Sequence, residues 1–272
     1  MKQNRIFIFL IFVLITGISL LLYPSIKDYR NSMDQLELAA SYDEQIAKLD
    51  NNTYEKIWDT AEAYNQTLSE DVERFLFTEE DEENYHALLN VSGNGMMSYI
   101  EIPNLSCVLP IYHGTSEEVL QSAVGHVQGS SLPVGGSSSH CVLSGHRGLP
   151  NAKLFSDLDQ LREGDVFMIH TLDTTLTYEV DQIHIILSHE IHDIDIVKDE
   201  DLCTLVTCTP YGENSHRLLV RGHRIENIEN VYDVRIIADA VQVEPEIVAW
   251  VLAVSALLLI GLGAMICERK YR

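Results

Sequence analysis

The sequence predicts a mainly β fold, a closed or nearly closed barrel of about eight strands with short helices, preceded by a helical segment and held between two transmembrane helices. Three observations predict it. Short β-rich runs recur from Tyr99 onward with turn residues between them. An acidic stretch without proline or glycine precedes them and repeats apolar residues at helical spacing. Long apolar runs lie near both ends.

The first apolar run, 6–22, carries no charge and follows Lys2 and Arg5. No small-x-small cleavage site comes after it, so an uncleaved signal anchor is expected over 1–23. The second run, 247–267, is long enough at ~1.5 Å per residue to cross a ~30 Å hydrocarbon core. A basic tail follows at 268–272 and a linker precedes at 236–246. Basic residues outside both runs place both termini in the cytoplasm by the positive-inside tendency, so the intervening domain faces outward.

That intervening stretch is strongly acidic, in a chain whose formal net charge is −23. Nucleic acid is therefore excluded as a partner, and the acidity reads as solubility beside an anionic envelope. From 27 to 77 the apolar residues Ile57, Ala61, Tyr64, Leu68, Val72 and Phe75 fall three or four apart and mark one helical face. A helical extracytoplasmic segment is expected over 24–97. Its last part, 69–94, has an acidic run and the turn cluster Ser92-Gly93-Asn94-Gly95, which predicts at most a weak, mobile cover over the domain.

The catalytic barrel is expected over 98–235. Its β runs are 99–102, 107–112, 140–144, 166–170, 176–187, 202–208 and 216–221, interrupted by helical patterns at 116–124 and 153–161.

Two of these strands end at chemistry-bearing residues. The run 202–208 finishes on Cys208, with Pro210 and Gly212 just beyond, so its thiol stands at a rim where it meets substrate. The run 140–144 is closed by Gly145, Gly148 and Pro150, which puts His146 at a similar rim. A cysteine nucleophile needs such a proton-transfer partner. His216 is the next candidate, but in an alternating strand it points away from Arg217. Arg217 opens the run HRLLVRGHR, and an antiparallel hairpin returns it to Cys208. Cys141 and Cys203 sit within apolar runs and read as structural, reduced core thiols; each precedes His146 or Cys208 by five residues, so the two lie side by side if their strands pair. No metal or cofactor is called for.

The strings IYHGTSEEVLQSAVGHVQGSSLPVGG, VLSGHRGLPNAKLFSDLDQLREGD and TLVTCTPYGENSHRLLVRGHR are similar to the class C sortases, the pilin polymerases of Gram-positive bacteria, over about 99–224. Matched residue by residue, the resemblance implies His146, Cys208 and Arg217 as the catalytic set. It also implies a sortase-type barrel and cleavage of an LPxTG-like sorting signal after Thr through a thioester on Cys208. The acyl group would pass to a lysine amine of a pilin subunit. Rival readings are a sortase that anchors proteins to peptidoglycan, a hydrolytic cysteine protease, and a silent pilin-binding scaffold. One departure stands out: the family commonly covers its cysteine with a lid bearing an Asp-Pro-aromatic motif, and this chain has no proline between Pro24 and Pro103.

Overall fold

The computed structural model describes residues 2–71, 73–149, 153–190, 192–210, 212–227 and 254. Among the described residues, 27–227 fall in one compact unit and 2–26 in another. The expected second membrane run, its linker and the basic tail lie outside the described residues apart from Val254.

Helix α1 spans Lys2–Ile46 and α2 spans Asn51–Glu70. Among the described residues no single helix is long and apolar enough to cross a membrane. The bent pair 11–20 and 22–46, at 41°, meets the length and composition requirement together. Asp50 starts α2 by accepting the Thr53 N–H at 3.0 Å. The apolar face read from the sequence is the packed one over its first part: Ala61 and Leu68 are buried, with Ile57, Trp58 and Tyr64 against the core. Between its apolar contacts Asn65 makes a two-way clamp on Leu132, donating to the carbonyl at 3.1 Å and accepting from the N–H at 2.7 Å. On α1, the buried Tyr42 hydroxyl donates to the Met97 carbonyl and accepts from the Leu172 N–H, at 2.8 and 2.9 Å. A buried backbone pair otherwise without partners would cost on the order of 1–3 kcal/mol per group.

Helix α3, Glu79–Ala87, opens with a reciprocal capping box between Thr78 and Asp81. This region corrects the expectation of a mobile cover. Tyr85 and Leu89 are buried in the core. The Tyr85 hydroxyl lies 2.9 Å from His126 Nδ1 and accepts the Gly114 N–H at 3.0 Å. His113 meets the Leu88 and Gly95 carbonyls at 2.7 and 2.9 Å. Arg74 donates to the Ile194 carbonyl at 3.2 Å and to Asp195 at 3.1 Å. Composition averaged over the segment concealed this, because the docking is carried by a few buried residues in an otherwise acidic stretch.

Eight strands follow: β1 Met96–Ile102, β2 Cys107–His113, β3 Val124–His126, β4 Ser139–Ser144, β5 Val166–Thr171, β6 Thr174–Leu187, β7 Asp201–Thr209 and β8 His216–Ile225. They close into a barrel in the order β1-β2-β3-β4-β7-β8-β6-β5. Strand β3 is the element missing from the sequence reading. The helical pattern at 116–124 yields only one turn, α4 Glu117–Leu120, before the chain extends at Val124. There it pairs parallel to β2 and antiparallel to β4, and a side chain at Gly125 would overlap the Gly114 carbonyl. The second helical pattern, 153–161, is a series of turns ending in the 3-10 turn Leu158–Gln160. Its apolar residues Leu154, Phe155, Leu158 and Leu161 are all buried, so they satisfy the core without a helix.

Candidate active site

The two strands carrying the expected site residues are neighbours. β4 and β7 run parallel with Cys141 opposite Cys203 and Ser144 opposite Val206. The ladder continues one step past β4, because the Gly145 N–H donates to the Val206 carbonyl at 3.0 Å and Thr207 Oγ1 donates to the Gly145 carbonyl at 2.8 Å. His146 therefore leaves the sheet beside the end of β7 that bears Cys208. β7 and β8 are antiparallel, with Cys208 directly opposite Arg217.

Alternation decides which way these side chains face. Cys141 and Leu143 on β4, Cys203 and Leu205 on β7, and Leu218 and Val220 on β8 fill the core. Cys208 and Arg217 have the opposite parity and lie together on the outer face, both half-buried. His216 has core parity and sits opposite Thr209 and Leu187, so it is directed away from Arg217 as the alternation predicts.

The turn carrying His146 is tied down on several sides. A Cβ at Gly145 would come within 2.6 Å of the buried Phe155 ring, so the close approach requires glycine. The Phe155 N–H donates to the His146 carbonyl at 3.2 Å, and the Gly148 N–H to Ser156 Oγ at 2.9 Å. Arg147 pairs with Asp159 and reaches Thr209 Oγ1, next to Cys208, at 3.5 Å. His146 Nε2 itself lies 3.5 Å from Glu117 Oε2. Arg217 directs Nη1 to the Asn214 and His216 carbonyls, 3.0 Å each, at the mouth of the β7–β8 turn. Glu117 and Arg147 escaped the sequence reading. The one available signal was the helix start at Ser116, whose Oγ accepts the Val119 N–H.

Below the rim the outer face is covered, with Val142, Leu202 and Leu219 buried beside His140 and Thr204. His140 is buried, with Nδ1 2.8 Å from the Asp195 carbonyl and Nε2 2.7 Å from Thr204 Oγ1. Burial, reinforced by Arg221 and Arg74, pushes its pKa down to about 4. By exposure Cys107 is half-buried like Cys208, whereas Cys141 and Cys203 are buried. Burial pushes the Cys107 thiol up to about 12. The Cys203 thiol is raised well above its ordinary value, by burial and by its neighbour Cys141. All four described cysteines are free.

A sortase-domain family model matches residues 100–225. Among solved structures, sortase C1 from Streptococcus agalactiae is 46% identical and has a TM-score of 0.68, covering 71% of this chain and 100% of that one. Sortase C from Streptococcus pneumoniae is 44% identical with a TM-score of 0.63, covering 70% and 97%. Sortase D of Bacillus subtilis is 29% identical over 129 residues, which are 46% of this chain and 62% of that protein. The chain spans about three fifths of the length of the curated relatives it matches.

Proposed function

The chain belongs to the sortase family, within it to the class C sortases, and on that premise we propose that it is a cysteine transpeptidase that polymerises pilins. The observation that carries this reading is the placement of Cys208 directly opposite Arg217 on the outer face, with the His146 turn hydrogen-bonded to the same strand.

Cys208 Sγ, as thiolate, attacks the Thr carbonyl carbon of an LPxTG-like sorting signal. Arg217 donates to the oxyanion that develops and orients the signal backbone; donors aimed at such charge are worth about 10²–10³ in rate. The Thr–Gly C–N bond breaks as His146 gives its proton to the departing glycine amine, leaving a thioester on Cys208. A pilin lysine Nζ then attacks the thioester carbonyl and gives a proton to His146. The thiolate departs and an isopeptide bond remains. Both termini lie in the cytoplasm, with apolar runs 6–22 and 247–267 as membrane anchors and the barrel outside the cell.

The test mixes the full-length protein with a sorting-signal peptide and a lysine-bearing pilin. Mass spectrometry of cross-linked peptides is expected to find the Thr–lysine isopeptide, absent with Cys208→Ala. Transfer only to a peptidoglycan-type amine would favour wall anchoring. Release of free acid alone would mean hydrolysis, and polymerisation by Cys208→Ala would mean a scaffold.

A further inference from the structure

We propose that Glu117 is a positioning residue of this site, holding His146 and favouring its protonated form while Cys208 is a thiolate; the inference rests on the transpeptidase reading above. Glu117 is the first residue of α4, in the segment that joins β2 to β3, and reaches the His146 turn across the rim. Its carboxylate is itself held. Oε1 accepts from Gln121 Nε2 at 3.2 Å, one helical turn on, which leaves Oε2 facing His146 Nε2 at 3.5 Å.

The neighbouring charges leave this role to Glu117. Arg147, on the same turn as His146, is answered by Asp159, and Arg217 from β8 is turned to the carbonyls of Asn214 and His216. Cys208, from β7, is the nucleophile itself rather than a fixed partner of the ring. Glu117 thus supplies the standing negative charge at the ring. A nucleophile, its proton-transfer partner and a third group that orients the partner form a recurring catalytic arrangement. Here the third group is largely exposed, 71% against 26% for the His146 side chain, so solvent screens it. The expected contribution is about two- to fivefold in rate.

Screened or not, the contribution has a distinctive pH dependence. The reactive state needs a thiolate and an imidazolium at once. On the acid flank the rate is limited by removal of the thiol proton, and a carboxylate on the histidine makes no difference. On the alkaline flank it is limited by retention of the ring proton, and the carboxylate matters fully. A merely structural role would lower the rate by one factor at every pH.

The experiment measures kcat/KM for peptide transfer by the full-length protein in detergent from about pH 5.5 to about pH 9.5, a window spanning ordinary histidine and cysteine titration. Glu117→Gln is expected to match the parent on the acid flank and to fall behind by about two- to fivefold on the alkaline flank. Gln121→Ala should give a smaller loss of the same shape, and the double variant should be no worse than Glu117→Gln. A loss uniform across pH, or no loss, overturns the proposal. NMR titration of the His146 ring, assigned through His146→Gln, separates this failure from that of the functional reading. If the parent transfers nothing, the transpeptidase reading falls. The Glu117 contact then stands if the ring titrates at lower pH in Glu117→Gln, and falls if its midpoint is unmoved.

Discussion

His140 stores a measurable part of the barrel's stability as a proton it does not carry. Folded, its pKa is about 4, held down first by burial and then by Arg221 and Arg74, whereas an unfolded histidine titrates at about 6.5. The folded value is the lower one, so the contribution is complete above about pH 6.5 and is lost as pH falls towards about 4. Between pH 7.5 and pH 5 the two titrations differ by about 2 kcal/mol. In the neutral ring Nδ1–H donates to the Asp195 carbonyl and Nε2 accepts from the Thr204 hydroxyl. A second proton on the ring would face the Thr204 hydroxyl, which would then have to give up donating to it. Chemical denaturation at both pH values, on the parent and on His140→Asn, isolates the effect. Asparagine keeps a donor for Asp195 and cannot titrate. The parent should lose about 2 kcal/mol more than the variant on acidification, with every other titrating group cancelling in the difference. Equal losses in the two proteins would refute the buried neutral histidine.

Three further outcomes are expected. Gly145→Ala drives a methyl into the Phe155 ring and shifts the His146 turn, at a cost of about 1–3 kcal/mol in unfolding free energy and a loss of transfer that exceeds the loss of fold. Arg217→Lys keeps the charge and discards the planar fork, so kcat should fall about 10²-fold or more; near-normal turnover would mean that charge alone suffices. Cys141 and Cys203, paired across β4 and β7 and both free, should be fully alkylated after denaturation without reductant, and a deficit of two labels on this pair by intact mass would show a disulfide.

The sequence alone determined the chemistry and most of the barrel. Strand-ending prolines and glycines marked the rims where Cys208 and His146 stand, alternation separated Arg217 from His216, and the motif strings selected the family. These are local signals, set by backbone preferences and by a period of two, and they survive in one dimension. Only the tertiary structure decided β3, the docking of α3 and the place of Glu117. Val124–His126 is too short to carry a periodic pattern, and it is a strand because β2 and β4 flank it. Tyr85 lies in a run of acids, and its burial depends on His126 and Gly114, each more than 25 residues away. Glu117 meets His146 across 29 positions of chain, a contact made when β3 turns α4 back over the rim. Such contacts arise from chain closure, whose partners no local pattern encodes.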